Sequence, residues 1–271
     1  MDLIENSDYF LDKDVVKKYD SNVISTIPFY SECIEFIAKV VENFQGGKKI
    51  DLLELGIGTG NLTCALLDCI EKLGNLYCLD MSESMLSLAK EKILKSGLAA
   101  DRVTLIKKLF LDDWEMDVKS KPSIISSMMC FSHLINDSDA KKVFDKCYQI
   151  LDSGGLFIIS EKCASSNGMS RCSYERMIAN RAILLERGGF MSSKQIEAWK
   201  YHVLVEDKIR SLKEWAALLK NVGFVITKSS GIKLPNTNFN ERDFVLLKTI
   251  EDVSSSTEQA LGMGMIFCIK T

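Results

Sequence analysis

The stretch ELGIGTG, residues 54–60, carries glycines at alternate positions directly behind the apolar run KIDLLEL (49–55). A residue without a β-carbon can turn sharply and lets a ligand come close to the main chain. Gly56 suits the turn, Gly58 the approach of a ligand, and Gly60 the close packing of a strand against the helix that follows. The spacing G-x-G-x-G lacks the extra spacer of the dinucleotide fingerprint. Asp80 ends the next apolar run, LYCLD (76–80), where its carboxylate can accept both hydroxyls of a ribose. Bare backbone with a carboxylate one strand over suits an adenosine-bearing ligand.

Side chains for chemistry on such a ligand are few. There are 2 histidines. His133 follows the run SIISSMM (123–129), at the edge where the ligand would react, and reads either as a general base or as a residue packed on the next helix. His202, in WKYHV, reads as a solvated helix residue. Tyr19 and Asp20, in KKYDSN, are placed to close over the glycine turn as a lid or to end a surface helix. Glu161 faces the same edge, as a substrate contact or a partner of Lys162. Arg171, Arg176, Arg181 and Arg187 follow at intervals that scatter them around a helix of 3.6 residues per turn, so they mark a solvent face rather than a phosphate-binding stripe. Met128, Met129, Met169, Met177 and Met191 suit an adaptable apolar pocket or the core. No metal is expected: the histidines stand far apart in the chain and the 9 cysteines form no C-x-x-C pair.

The elements that must position these groups alternate strictly. Strands are predicted at 49–55, 76–80, 103–106, 123–129 and 156–160, and Gly74 is read as the stop of the first intervening helix. Ser82 is read as the cap of a second helix ended by Gly97, and Asp137 or Ser138 as the cap of a third. A final helix (211–221) and the strands GFVITKS and MGMIFCIK complete the pattern. Parallel neighbours need crossovers, so this order predicts an α/β fold: a Rossmann-like, doubly wound, mostly parallel seven-stranded sheet with helices on both faces. Residues 1–47 are expected to form an N-terminal helical lid, with a domain over 48–271 that carries a helical cap at about 166–206 and an insertion at about 232–261.

Glu54, Gly56, Gly58 and Gly60 with Asp80 resemble the class I S-adenosylmethionine-dependent methyltransferases over roughly residues 48–165. IPFYSECI (27–34), CLDMSESML (78–86), DKCYQILDSGGLFIISEK (145–162) and LKNVGF (219–224) are similar to the carboxy-S-adenosylmethionine synthase and tRNA-uridine methyltransferase branch. The resemblance implies S-adenosyl-L-methionine as cofactor, with Tyr30 at its amino-acid end, Gly56 and Gly58 at the methionine and ribose, Asp80 at the ribose, Met81 at the adenine and Met129 at the sulfonium. Glu54, Thr59, Gly60, Met85 and Phe110 complete the expected cofactor set. By their places in the chain His133 is the candidate catalytic residue and Tyr19 and Glu161 are candidate substrate contacts, to which the resemblance adds Lys200. Lys200 stands where the branch has a carboxylate-binding arginine, and keeps the charge without the planar fork. The branch's acidic residue after the third strand falls on Leu109, leaving backbone or Asp112 to hold the adenine amino group. The implied activity is methyl transfer to a small molecule. Carboxy-S-adenosylmethionine synthesis, tRNA modification and non-catalytic cofactor binding are the alternatives.

A net charge of −3 gives no basic field to draw nucleic acid, so a small-molecule substrate is expected instead. Cysteines scattered through apolar runs read as reduced core residues of a cytoplasmic protein. No apolar run reaches the ~18 residues of a membrane helix. The cap and the late insertion each offer a surface for a homodimer.

Overall fold

The computed structural model describes residues 13–27, 30–164, 171–227 and 262–271. Two helices, α1 (Lys13–Thr26) and α2 (Tyr30–Gln45), precede the sheet. The strands are β1 (Ile50–Leu55), β2 (Leu73–Asp80), β3 (Val103–Lys107), β4 (Ile124–Met128), β5 (Leu156–Ala164), β6 (Arg210–Ser211), β7 (Val225–Ile226) and β8 (Gly262–Ile269). Between them lie α3 (Asn61–Cys69), α4 (Glu83–Lys95), α5 (Asp137–Ile150), α6 (Arg171–Arg187), α7 (Ser193–Tyr201) and α8 (Leu212–Val222).

The sheet runs β3-β2-β1-β4-β5-β8-β7, with β6 paired to the end of β5 off this path. β8 runs antiparallel to both of its neighbours, β5 and β7. This is the expected α/β Rossmann-like fold with one strand more than seven, because the two-residue β6 adds parallel pairs at Cys163 and Ala164. Strand alternation splits the core. Leu52, Ile124 and Ile158 pack with α2, α3 and α4 on one face, whereas Leu53, Ile125 and Phe157 pack with α5 and α8 on the other. A third apolar cluster joins Val15 of α1 to Ile178, Leu185, Ile196, Trp199 and Val203 of the cap helices. The chain order reverses between β1 and β4, which is where ligands of open α/β sheets bind.

Local signals explain most boundaries. Ser82 caps α4 by accepting from Met85 N, and Gly97 follows its end with a positive φ of 87°. Two expectations are corrected. Gly74 lies inside β2 rather than ending a helix, because a β-carbon there would collide with the Asp51 carboxylate. The N-cap of α5 is Asn136, with Asp137 already in the first turn and committed to Arg210 and Lys208. The insertion at 232–261 lies outside the described residues.

Candidate functional site

The loop after β1 is held by its neighbour: Gly56 and Ile57 both donate to Leu79 O. Gly56 has φ 67°, and a β-carbon on it would sit 2.5 Å from Cys130 Cβ, so a side chain is excluded by packing. Gly58, at φ 55°, is different: a β-carbon there would meet nothing within 4 Å, and the residue opens onto a cleft. Its N–H donates to Asp80 Oδ2 (2.8 Å), and Ser82 N–H donates to Asp80 Oδ1 (2.8 Å). Burial raises the Asp80 carboxyl above its ordinary value against those two hydrogen bonds.

The cleft spans about 640 Å³, counting the space open to solvent. Met81, Met85, Leu109 and Phe110 give it an apolar wall beside Asp80. A smaller polar chamber adjoins it, lined by Tyr30, Glu54, Thr59 and Asn61. Tyr30 Oη accepts from Asn61 Nδ2 (3.1 Å), and burial pushes this phenol up to about 12. Glu54 points from β1 toward α3, where Thr63 Oγ1 donates to it, and burial pushes its carboxyl to about 8. Asp20 of α1 accepts from Thr59 Oγ1 and Asn61 Nδ2 and pairs with Lys92, which pins α1 over the glycine loop.

A third chamber lies under the cap between α1, α6 and α7. Asn22, Val23, Ile27, Lys162, Arg181, Trp199, His202 and Val203 contribute to its wall. Tyr19 and Met129 border all three spaces, and His133 borders both the cleft and the cap chamber. Met129 adopts φ 59°, a left-handed conformation costly for a side-chain-bearing residue, at this crossing point.

The cap chamber has a buried carboxylate behind it. Asp207 Oδ2 takes Lys162 Nζ at 2.7 Å, and Oδ1 lies 3.0 Å from His133 Nδ1. Burial would raise Asp207, but Lys162 and His133 beside it hold it well below the usual carboxylate range. Burial likewise would lower His133, and the charge of Asp207 raises it above its ordinary value instead. His202, 4% exposed, stacks near His133 with ring centroids 4.9 Å apart, while its Nδ1 meets Glu206 Oε2 at 2.8 Å.

The structure thus gathers Tyr19, Tyr30, Glu54, Gly56, Gly58, Thr59, Asp80, Met81, Met85, Phe110, Met129 and His133 around one connected space. Gly60 stands behind it, its α-carbon packed on Ala89 of α4. Glu161 and Lys200 line none of the three chambers. Glu161 points to the opposite face from Lys162 and, 1% exposed, accepts from Cys130 N and Phe131 N; burial pushes it to about 7. Lys200 pairs with Glu197 on the outer side of α7. Asp112 closes its own turn by accepting from Leu109 N. His202 is buried rather than solvated, and Arg181 faces inward, its Nε on Thr26 and its guanidinium over the Trp199 ring at 5.2 Å, while Arg176 and Arg187 stay exposed. The histidines, distant in sequence, adjoin in space because the loop after β4 and the cap bring residues 133 and 202 to one sheet edge. Asp207, Lys162 and Asn22 carry no sequence signal for this role; only the crossover places them.

The residues present fit S-adenosyl-L-methionine on structural grounds: the open side of Gly58, the anchored Asp80, the apolar wall beside it and the adjoining polar chamber. The chain belongs to the ubiE/COQ5 methyltransferase family, whose model matches residues 8–232. Its fold and family define a class I S-adenosylmethionine-dependent methyltransferase. A carboxy-S-adenosyl-L-methionine synthase of Campylobacter lari is 28% identical over 151 residues, covering 56% of this chain and 60% of that protein. One from Helicobacter pylori strain Shi470 is 26% identical over 224 residues, covering 81% and 87%. The chain thus spans about 60% of the length of relatives such as the Campylobacter lari protein. Two solved structures share the fold. One is a putative sarcosine dimethylglycine methyltransferase from Galdieria sulphuraria (18% identity, TM-score 0.52, 82% of this chain and 78% of that one). The other is in the complex between the Haloferax volcanii Trm112 methyltransferase activator and the putative methyltransferase (13% identity, TM-score 0.54, 97% and 96%). Among the described residues, no helix is long and apolar enough to cross a membrane.

Proposed function

We propose that the protein transfers the methyl group of S-adenosyl-L-methionine to a small molecule held in the cap chamber. The observation that carries this reading is that the cleft and the cap chamber share Tyr19, Met129 and His133. The bound donor supplies an electrophilic methyl on a positively charged sulfur. The protein's part is positioning and exclusion of water. Gly58 and Asp80 hold the nucleoside, Glu54 and Tyr30 the polar tail, and Met129 separates the two compartments. Trp199, Val203 and Ile27 give the acceptor an apolar seat. Where the acceptor atom carries a proton, His133 receives it, with Asp207 fixing the orientation of the ring. The described helices α1 and α2 act as the lid, and α6 and α7 as the cap.

The acceptor is small and is not nucleic acid; a cytoplasmic location and a homodimer complete the reading, the latter tested by light scattering. The transfer itself is tested by incubating the protein and the labelled donor with fractionated metabolites. A product heavier by one methyl group supports it, and donor that stays intact across all fractions, although bound, turns the reading into a cofactor-binding protein.

A second reading is carboxy-S-adenosylmethionine synthesis, favoured by the carboxy-S-adenosylmethionine synthases among the chain's relatives and by Lys162 and Arg181 on the chamber wall. Mass spectrometry of the donor after incubation with prephenate separates the two: a carboxylated donor selects this reading over methyl transfer.

A further inference from the structure

We propose that His133 Nδ1, His202 Nε2 and Asp207 Oδ1 form a binding site for a divalent first-row transition metal ion, open on its remaining side to the cap chamber. The three donor atoms lie within 4.8 Å of one another, with Asp207 Oδ1 3.0 Å from His133 Nδ1 and 3.8 Å from His202 Nε2. Metal bonds of about 2.0–2.2 Å at tetrahedral or octahedral angles put donors roughly 2.8–3.6 Å apart, so small ring rotations complete the set.

Three independent features point to a cation at that spot. Asp207 has a fully buried side chain, and two imidazole nitrogens face its Oδ1. The second carboxylate oxygen is held by Lys162, which leaves Oδ1 as a single directed donor. The far nitrogen of His202 is braced by Glu206 at 2.8 Å, the carboxylate–histidine arrangement that fixes tautomer and ring orientation behind a metal.

Two imidazoles and one carboxylate select zinc, iron(II), cobalt or nickel over magnesium and calcium, which prefer all-oxygen sets. Coordination uses the His133 nitrogen that otherwise faces Asp207, so the ion and the proton-accepting role given to His133 exclude each other. The consequence is metal inhibition of any transfer that needs proton removal. The site itself depends only on the cap chamber's geometry, not on the methyl-transfer reading.

The test is calorimetric titration of the full chain, stripped with chelator, with Zn²⁺, together with the visible absorption of added Co²⁺. The expected result is saturable uptake of one ion per chain and a cobalt spectrum distinct from the aquo ion. His202→Ala is expected to abolish this uptake and Glu206→Gln to weaken it about 10–100-fold. Absence of saturable uptake overturns the inference, as does uptake that both variants leave unchanged. Circular dichroism checks the fold, and Glu206→Gln keeps the test decisive if His202→Ala does not fold. S-adenosylhomocysteine affinity, measured on the same preparations, reports on the cofactor reading separately: intact affinity without metal uptake sinks this inference alone.

Discussion

Replacing Glu54 by Gln isolates the electrostatic cost built into the polar chamber. The Glu54 side chain is 2% exposed, accepts from Thr63, and is pushed by burial and by the nearby Asp80 charge to about 8 from an ordinary 4.5. Between those values the folded chain keeps a proton that the unfolded chain has released. Stability therefore falls as pH rises through this window, and the loss is complete above the folded value. A gap of three to four units at about 1.4 kcal/mol per unit bounds the effect at roughly 4–5 kcal/mol, with relaxation reducing it. The amide of the Glu54→Gln variant has no such proton to lose and nearly the same shape. Urea unfolding from pH 5 to pH 9 is expected to show the two proteins close at pH 5 and the variant more stable by about 2–4 kcal/mol at pH 9. Parallel pH profiles for wild type and variant would refute the claim that this carboxyl is buried and neutral. An ammonium-bearing cofactor tail favours the ionised form, so donor binding near pH 7 is expected to release protons from wild type and not from the variant. Calorimetry in buffers of different ionisation enthalpy measures this.

Other perturbations follow from single contacts. Glu161→Ala strands the buried N–H groups of Cys130 and Phe131, and is expected to cost about 2–6 kcal/mol in urea unfolding, at about 1–3 kcal/mol for each orphaned donor; a cost below about 1 kcal/mol would contradict the view that this carboxyl holds both groups. Asp20→Ala frees α1 from Thr59 and Lys92, with faster amide exchange in α1 and a global change of no more than about 1 kcal/mol, because the pair is partly exposed. Gly56→Ala forces a β-carbon against Cys130 at a positive φ and is expected to lower stability by about 1–3 kcal/mol, read by thermal unfolding.

What could be read from the chain was local. The glycine turn, Asp80 and the Ser82 cap each rest on residues a few positions apart, and the alternation of strands and helices implies crossovers and hence a parallel sheet. Gly74 misled because its reason is a neighbour on another strand, Asp51, and a glycine needed for close approach looks like one needed for a turn. The cap side of the site was hidden for the same reason. Asp207 follows an irregular segment, and its partners Lys162, His133 and His202 come from β5, the loop after β4 and the end of α7. Arg181 was misjudged because even angular scatter around α6 says nothing about which side the lid covers. Glu161 does lie near the end of β5, but alternation turns it to the face opposite Lys162, where it meets the Cys130 and Phe131 N–H groups instead of the chamber.

The space over Gly58 is the seat assigned to the cofactor, and every role given to the neighbouring residues depends on it. Calorimetry of S-adenosylhomocysteine against wild type, Asp80→Ala and Gly58→Val tests that assignment most directly. Saturable binding to wild type is expected, with a loss of about 1–3 kcal/mol on removing the Asp80 carboxylate and no measurable binding once a branched side chain fills the cleft at Gly58. Undiminished affinity in a folded Gly58→Val protein would contradict it.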